Sequence, residues 1–160
     1  MSNYYPPVSF SFQVSMAGNR AAVDASFQEV RGLDAERPLT EVREGGENRY
    51  SHRLPGAVKY QNLQLKRGLM LAQSPIFVWC KGVLESDLTT PIMPKDLNVS
   101  LLDERAEPCM TWSVVRVWPV KWAISDFRAK ESEIAIETIE LAFQRVERKL
   151  NRTLKAEGFA

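Results

Sequence analysis

Residues 8–15 read Val-Ser-Phe-Ser-Phe-Gln-Val-Ser, so apolar and polar side chains alternate strictly along this stretch. Successive side chains of a strand point to opposite faces of the sheet, and this period of two predicts a β-strand with one face in the core. Residues 6–7 are both proline, which cannot donate ladder hydrogen bonds, and we expect them just before the strand. The other face of the strand, made of Ser and Gln, is expected to be polar.

The same alternation returns in later segments. The residues predicted to face inward there are Leu63, Leu65, Leu97, Val99, Leu101, Val120, Trp122 and Ile124. Residues 110–118 carry apolar groups on both faces, as expected of a strand that is covered on both sides. The turn-rich residues 103–108 predict a hairpin loop. Several short strands of similar length together predict a sandwich or barrel.

The alternation changes phase late in the chain. Ile134 and Ile136 hold one phase, whereas Ile139 and Leu141 hold the other. A β-bulge near residues 137–138 would restore a single buried face, so we predict one there.

Two segments follow a helical rhythm instead. Ser74 followed by Pro75 is typical of a helix start, and residues 75–86 are predicted to form a short helix. In the tail, the apolar positions recur at spacings of three and four, which predicts an amphipathic helix. Its apolar side is Phe143, Val146, Leu150 and Leu154, and its basic side is Arg145, Arg148, Lys149, Arg152 and Lys155. These basic residues are candidates for contact with a partner.

The predicted fold is therefore mainly β: an antiparallel β-barrel or sandwich with one short flanking α-helix and a C-terminal amphipathic helical extension. Residues 1–143 are assigned to the barrel domain and residues 144–160 to the extension. Residues 45–60 stand apart, because Gly45-Gly46, Pro55-Gly56 and a polar majority prevent one continuous paired strand. The segment is much longer than a tight connection of about 2–6 residues, which suggests a dedicated role.

The composition is that of an ordinary globular domain. The chain has 160 residues, 44% of them hydrophobic, which suits one domain with a real core. The net charge of +1 provides no global field for nucleic acid or an anionic membrane, so membrane binding by the isolated subunit is not expected. No long apolar run or signal peptide is recognised, and we expect assembly in the cytoplasm.

Few residues suggest chemistry. His52 has no plausible nucleophile or ligand spacing around it, and the two cysteines, Cys80 and Cys109, lack the spacing of a metal or redox site. The carboxylates of residues 103–107 suit a solvated turn better than a metal site. Residues 45–48 do not match a phosphate-binding loop, and three tryptophans, Trp112, Trp118 and Trp122, are expected to be buried rather than to stack on bases. We therefore predict no enzyme activity and no catalytic, cofactor-binding or metal-binding residues.

The chain resembles a known family in a series of segments that occur in the right order up to about Phe143. In order they are 5–12 (YPPVSFSF), 27–33 (FQEVRGL), 41–48 (EVREGGEN), 54–56 (LPG), 63–68 (LQLKRG), 99–104 (VSLLDE), 118–122 (WPVKW) and 133–142 (EIAIETIELA). This series resembles the tail-tube proteins of contractile phages and phage-like injection systems, the T4-type tail tube family.

The resemblance implies a β-barrel with one flanking helix that assembles into stacked hexameric rings. These rings would form a tube inside a contractile sheath, attached to a baseplate, and would conduct cargo protein or DNA without sequence specificity. Residues 45–60 would then be a docking arm that reaches a neighbouring subunit or ring. The candidate contact residues are Glu44, Gly45, Gly46, Glu47, Asn48, Arg49, Tyr50, Leu54, Pro55 and Gly56.

The sequence departs from the usual family pattern in two places. Arg31 replaces the serine expected before Gly32, and residues 144–160 extend beyond the usual end. The extension leaves open a second role, a tube-initiating or adaptor ring at the baseplate end. From another functional class, a monomeric ligand-binding β-barrel remains an alternative, and an enzyme ranks last because no set of acid, base and nucleophile can be named.

Overall fold

The structure is a computed structural model, and it describes residues 11–18, 23–43, 45–46, 51–68, 74–125 and 135–150. Within these residues the chain forms twelve strands and one helix. In order they are β1 (Ser11–Met16), β2 (Val23–Phe27), β3 (Glu29–Arg31), β4 (Ala35–Glu36), β5 (Leu39–Val42), β6 (His52–Pro55), β7 (Lys59–Tyr60), β8 (Leu63–Gly68), α1 (Pro75–Glu85), β9 (Lys95–Leu102), β10 (Pro108–Ile124), β11 (Ile136–Ala142) and β12 (Arg145–Leu150).

The main sheet has the strand order β2-β1-β9-β10-β11-β8-β3, with β12 also paired to β10 and every pairing antiparallel. Strands β2 and β3 are consecutive in the chain, yet they lie at opposite ends of this order. Gln28, between them, donates its backbone N–H to Lys66, and β2 also contacts β8. Residues 23–31 therefore join the two ends of the sheet, which confirms the predicted antiparallel barrel or sandwich.

The long strand β10 belongs to both halves of the barrel. Its first part pairs with β9 as far as Val117, and with β12 between Met110 and Val115. Its second part, from Trp118 to Ile124, pairs with β11. The hairpin loop predicted between β9 and β10 is confirmed, because Asp103 closes it by accepting hydrogen bonds from two backbone N–H groups of the loop.

The core follows the predicted alternation in most strands. Its fully buried members include Val14 and Val99 on one half and Leu63, Leu65 and Ile139 on the other. The polar residues between them along β1, β8 and β9 are only half-buried. One face of each of these strands therefore packs inward while the other stays polar, as the period of two requires.

Helix α1 covers the core and confirms the predicted helix to within one residue. The Ser74 hydroxyl accepts the backbone N–H of Phe77, and Pro75 occupies the first turn, where its missing N–H costs nothing. The helix buries Ile76 and Cys80, and the ring of Phe77 stacks on that of Phe27 with centroids 6.3 Å apart. No helix in the described part of the chain has the length and apolarity needed to span a bilayer.

The predicted C-terminal helix is wrong for residues 145–150, which form strand β12. Val146 lies opposite Val114 and Leu150 lies opposite Met110, so the ladder with β10 pairs the backbone groups on one side of β12. Apolar residues at 146 and 150 fit a period of two as well as a helical period, and tertiary pairing decided between them. Residues 151–160, with Leu154, Arg152 and Lys155, lie outside the described residues.

The β-bulge predicted near residues 137–138 is also wrong. Strand β11 runs in regular register from Glu137 to Glu140, and the irregularity lies on its partner β10, between Pro119 and Lys121. Instead of a bulge, the inward position is taken by Glu137, which is buried, while Ile136 is exposed. The change of phase therefore marks a buried charge.

That charge belongs to a buried ionic cluster of Arg67, Asp24 and Glu137. The Arg67 guanidinium donates to Glu137 at 3.0 Å and to Asp24 at 2.9 Å, and it lies 3.4 Å from the centroid of the Phe77 ring. The three charged side chains are at most 5% exposed. Arg67 occupies the inward phase of β8 together with Leu63 and Leu65, so the charge at an inward position was a signal that the sequence offered.

Candidate assembly site

The most prominent surface feature is a hairpin formed by β5 and β6 with residues 45–46 at its tip, which we call the arm. Its register pairs Leu39 with Pro55 and Val42 with His52. Every residue of both strands is exposed, and the pair forms a two-stranded sheet of its own, separate from the barrel. Part of the long segment predicted to act as a docking arm is therefore paired, and it projects from the fold.

The base of the arm is closed by bonds between its two limbs. Strands β4 and β7 form a second short ladder that joins Glu36 to Lys59. The backbone N–H of Gly56 donates to the carbonyl of Pro38 at 2.7 Å, and Arg37 donates to the Gly56 carbonyl at 3.0 Å. These bonds hold the two limbs together where the arm begins.

The arm has little that would hold it in place alone. Its ion pair, Glu41 with Arg53, spans 3.8 Å between two exposed side chains and contributes at most about 1 kcal/mol. Leu39 and Leu54 are 60% and 53% exposed, so their apolar surface remains in water. Because an isolated two-stranded hairpin is marginally stable, a hairpin with exposed leucines is expected to gain stability from a partner surface.

The structure places half of the predicted arm residues. Gly45 and Gly46 form the tip turn, where Gly46 has a φ of +103° that favours glycine. Leu54 and Pro55 lie in β6, and Gly56 lies at the base. The other predicted contact residues, namely Glu44, Glu47, Asn48, Arg49 and Tyr50, lie outside the described residues.

The predicted basic tail is described as far as residue 150. Arg145 and Lys149 project from the same side of β12 as Glu147, and an exposed ion pair of 3.8 Å joins Arg145 to Glu147. Arg148 lies opposite Trp112, on the other side of the strand. The three basic residues that the structure describes here are thus divided between two faces of a strand.

The barrel also carries an extended polar face. On the half formed by β1, β9 and β10, hydroxyl and amide groups hydrogen-bond across the strands: Ser100 with Thr111 and Ser113 with Asn98, each at 3.1 Å. On the other half, Lys66 pairs with Glu29 at 3.7 Å, and Asn62 donates to Glu140 at 2.8 Å. On this face Lys66 and Glu29 thus neutralise each other, and Glu140 accepts a hydrogen bond from a neutral amide.

The groups that could take part in chemistry are dispersed. Within the described residues, no group of three or more His, Cys, Asp or Glu side chains could hold a metal ion. Burial raises the pKa of the Cys80 thiol to about 12. Burial, followed by the carboxylates of Asp103 and Glu107, raises the pKa of the Cys109 thiol, so both thiols are protonated at neutral pH. His52 lies exposed on the arm.

The barrel interior is filled by its own apolar side chains. An open recess of about 520 Å³ lies outside that interior, between the polar sheet face and the base of the arm. It is lined by Arg31, Gly32, Tyr60, Gln61, Asn62, Gln64 and Glu140. Ligand sites for small molecules are mostly apolar and enclosed, and this recess is neither.

Comparison with known families gives a match over most of the fold. Residues 8–147 match the family model described as T4-like virus tail tube protein gp19. The match begins before the described part of β1, includes the arm and ends within β12. A comparison with curated proteins found no match.

Solved structures give the same likeness. A chain in the anti-feeding prophage baseplate, 6-fold symmetrised, is 28% identical with a TM-score of 0.75, over 93% of this chain and 97% of that one. A chain in the extended sheath-tube complex of an extracellular contractile injection system is 27% identical with a TM-score of 0.74, over 94% and 95%. A type six secretion system protein shares the fold alone, at 11% identity and a TM-score of 0.55, over 88% and 83%.

Proposed function

The chain belongs to the T4-like virus tail tube protein family, and from this premise we propose that its copies close into six-membered rings that stack into the inner tube of a contractile particle. A structural subunit of such a tube is the function that its family and its relatives support. The observation that carries it is the extent of the match, because residues 8–147 include nearly every element of the barrel together with the arm. The baseplate relative, which is described as 6-fold symmetrised, supports the six-membered ring.

Stacking of the rings is assigned to the arm. A projecting hairpin with exposed leucines is suited to bury apolar surface against the next ring. The proposed contact residues are those of the tip and of β6, with Leu54 as the described apolar contact. Glu44, Glu47, Asn48, Arg49 and Tyr50 complete the proposed contact set.

The polar face of the barrel is assigned to the wall of the conduit. Some of its hydroxyl and amide groups bond to each other, and Lys66 is paired with Glu29, which leaves fewer free groups for a passing molecule to bind. A wall of this kind lets protein or DNA pass without sequence specificity, because base recognition needs free donors and acceptors. The subunit then acts mechanically and needs neither a cofactor nor an active site.

The partners outside the tube are a sheath and a baseplate. The relative in a sheath-tube complex supports the first, and the relative in a baseplate supports the second. Because one relative comes from each location, a tube-initiating or adaptor ring is the second candidate function. The basic residues Arg145, Arg148 and Lys149, with Arg152 and Lys155 beyond them, are the proposed contacts to these partners. We assign assembly of the subunit to the cytoplasm.

The experiment compares the wild-type protein with Leu54→Asp by electron microscopy and sedimentation. A carboxylate on the arm should leave single rings and reduce the pelleted tube fraction at least about tenfold, since a fully desolvated charge costs several kcal/mol. Leu88→Asp, at an 86% exposed leucine after α1, is the matched control and should form tubes. Normal tubes from Leu54→Asp would contradict the role of the arm. A wild-type protein that stays monomeric at high concentration would favour the ligand-binding barrel.

A further inference from the structure

One side of the second part of β10 is an open strand edge. From Trp118 to Ile124 this strand pairs with β11, whereas its pairing with β9 ends where Val117 lies opposite Lys95. In the part of the chain that the structure describes, no strand pairs with the other side of this stretch. An open edge presents a row of backbone N–H and C=O groups that a second strand can bind.

This edge is protected at one end only. Three features at this end discourage pairing with a strand of another chain. They are Pro119, Lys121 and the register irregularity between them. Beyond them, residues 122–124 are Trp, Ala and Ile and carry no charge. Trp122 is 42% exposed and Ile124 is 38% exposed, although both lie opposite core residues of β11. The core-facing side of the sheet is thus left uncovered at its end.

The side chain of Trp122 is held in place by a hydrogen bond within the subunit. Its indole N–H donates to the buried Glu137 carboxylate at 3.0 Å, and the other oxygen of that carboxylate binds Arg67 at 3.0 Å. Arg67 in turn contacts Phe77 of helix α1. The polar atom of the indole is therefore satisfied within the subunit, and the ring is free to make apolar contact with little loss of rotamer entropy. Fixed tryptophans of this kind dominate protein interfaces.

We propose that Val120, Trp122 and Ile124, which we call the Trp122 patch, form the lateral contact with a second copy of the chain in the same ring. The inference rests on the proposed function, in which copies lie side by side. It identifies the surface that closes the ring, whereas the arm joins one ring to the next.

A second copy is the favoured occupant because the main sheet offers another open edge that differs from this one. It is the outer side of β12, which pairs only with β10 among the described strands and ends at Leu150, 65% exposed. A closed ring needs head-to-tail contacts, in which one surface of each subunit meets a different surface of the next. The Trp122 patch and the outer edge of β12 provide these two surfaces, and Leu150 is the apolar residue available to meet Trp122.

The test measures ring formation by light scattering and electron microscopy for three variants of the full chain. Ile124→Ser and Trp122→Ser should each lower the ring fraction at equal concentration at least about tenfold, while Trp122→Phe should keep most of it. Ile124→Ser does not alter the hydrogen bond from Trp122 to Glu137. If circular dichroism shows that the Ile124→Ser monomer is folded, its loss of rings is not caused by disruption of the ionic cluster. Leu88→Ser is the exposed-leucine control and should form rings.

A second readout locates the patch directly. The fluorescence of Trp122 is obtained as the emission that wild type has and Trp122→Phe lacks. Acrylamide should quench this fluorescence in dissociated protein, and ring formation should protect it from quenching. Equal quenching in both states would overturn the proposal, as would full ring formation by Ile124→Ser. Tubes from Trp122→Ser that fail only to bind a sheath protein would reassign the patch to that protein. Wild-type chains that never form rings would overturn the proposed function itself. If Leu54→Asp prevents tubes while Ile124→Ser forms rings normally, this inference alone would be overturned.

Discussion

At the scale of single residues, the ion pairs of Arg67 favour the correct register between strands of the barrel. Two carboxylates and one guanidinium lie out of water, and Arg67 pairs with both acids. Burying an unpaired charge costs far more than a formed pair contributes, so the cluster tolerates no partial loss. Because its members come from β2, β8 and β11, it favours one register among these strands, which apolar side chains alone specify less sharply.

The first prediction concerns this cluster. Arg67→Ala should lower the free energy of unfolding by about 3–5 kcal/mol, because it leaves Asp24 and Glu137 buried without their cation. Arg31→Ala is the control, since Arg31 pairs with Glu29 on the surface, and should cost less than about 1 kcal/mol. Urea unfolding of both variants measures the difference. Equal losses of unfolding free energy in the two variants would show that the cluster contributes no more to stability than a surface ion pair does.

The second prediction concerns the buried thiol of Cys80, whose pKa rises from 9.0 to about 12 in the folded protein. In the unfolded chain the thiol loses its proton near pH 9, whereas the folded protein keeps it to about pH 12. The unfolded state binds fewer protons in this window, so stability falls as pH rises, by up to about 1.4 kcal/mol per pH unit.

This contribution is fully present below about pH 9 and is lost as the pH rises towards about 12. Urea unfolding of the wild type at a series of alkaline pH values should show this extra slope relative to Cys80→Ala, whatever the absolute stability of the variant. Identical slopes for the two proteins would contradict the burial of this thiol.

At the scale of elements, the junction between β3 and β8 depends on one backbone contact. Gly32 has a φ of +92°, and a Cβ at this position would lie 2.1 Å from the carbonyl oxygen of Asn62. The chain turns there towards β4 and the base of the arm, so this close approach helps to set where the arm begins. No residue with a side chain fits without moving the backbone.

The third prediction pairs two glycines. Gly32→Ala should destabilise the protein by at least about 1–3 kcal/mol, because it adds a steric clash to a conformation that alanine rarely adopts. Gly82→Ala, in the interior of α1 with open space around it, should instead stabilise by about 0.5–1 kcal/mol. Thermal unfolding followed by circular dichroism measures both shifts. A similar shift in the same direction would contradict the contact with Asn62.

Several elements were predictable from sequence because a single local signal determined them. The alternation along β1 and the Ser74-Pro75 start of α1 needed no tertiary information. Strand β12 could not be predicted, since its apolar spacing suits a helix equally well and only pairing with β10 decides the outcome. The exposure of Trp122 was not predicted. Alternation indicates which face of the sheet a residue lies on, but it does not indicate how far along the strand that face is covered by other residues.

The site was predictable in outline only. The glycines and length of residues 45–60 indicated an arm, and its described part does project from the barrel. Its pairing with β5 was not predicted, because Leu39–Val42 carries no strict alternation. Glu137 interrupted the alternation of β11, and a bulge was the simpler explanation until Arg67 supplied its partner.

At the scale of the whole molecule, the fold offers each requirement of a tube subunit on a different surface. The arm projects from the barrel, the Trp122 patch lies at one open edge and β12 forms another, and the polar face is the proposed wall of the conduit. Surfaces that are uncovered in the single chain are those for which we propose copies of the same chain as partners.

The central claim is that this chain builds a tube from copies of itself, and electron microscopy of the purified protein tests it most directly, with light scattering on the same sample. The account predicts rings of six subunits and stacks of those rings, with a scattering mass that rises with concentration. A uniform monomer at high concentration, both alone and in the presence of a baseplate ring to start assembly, would contradict it.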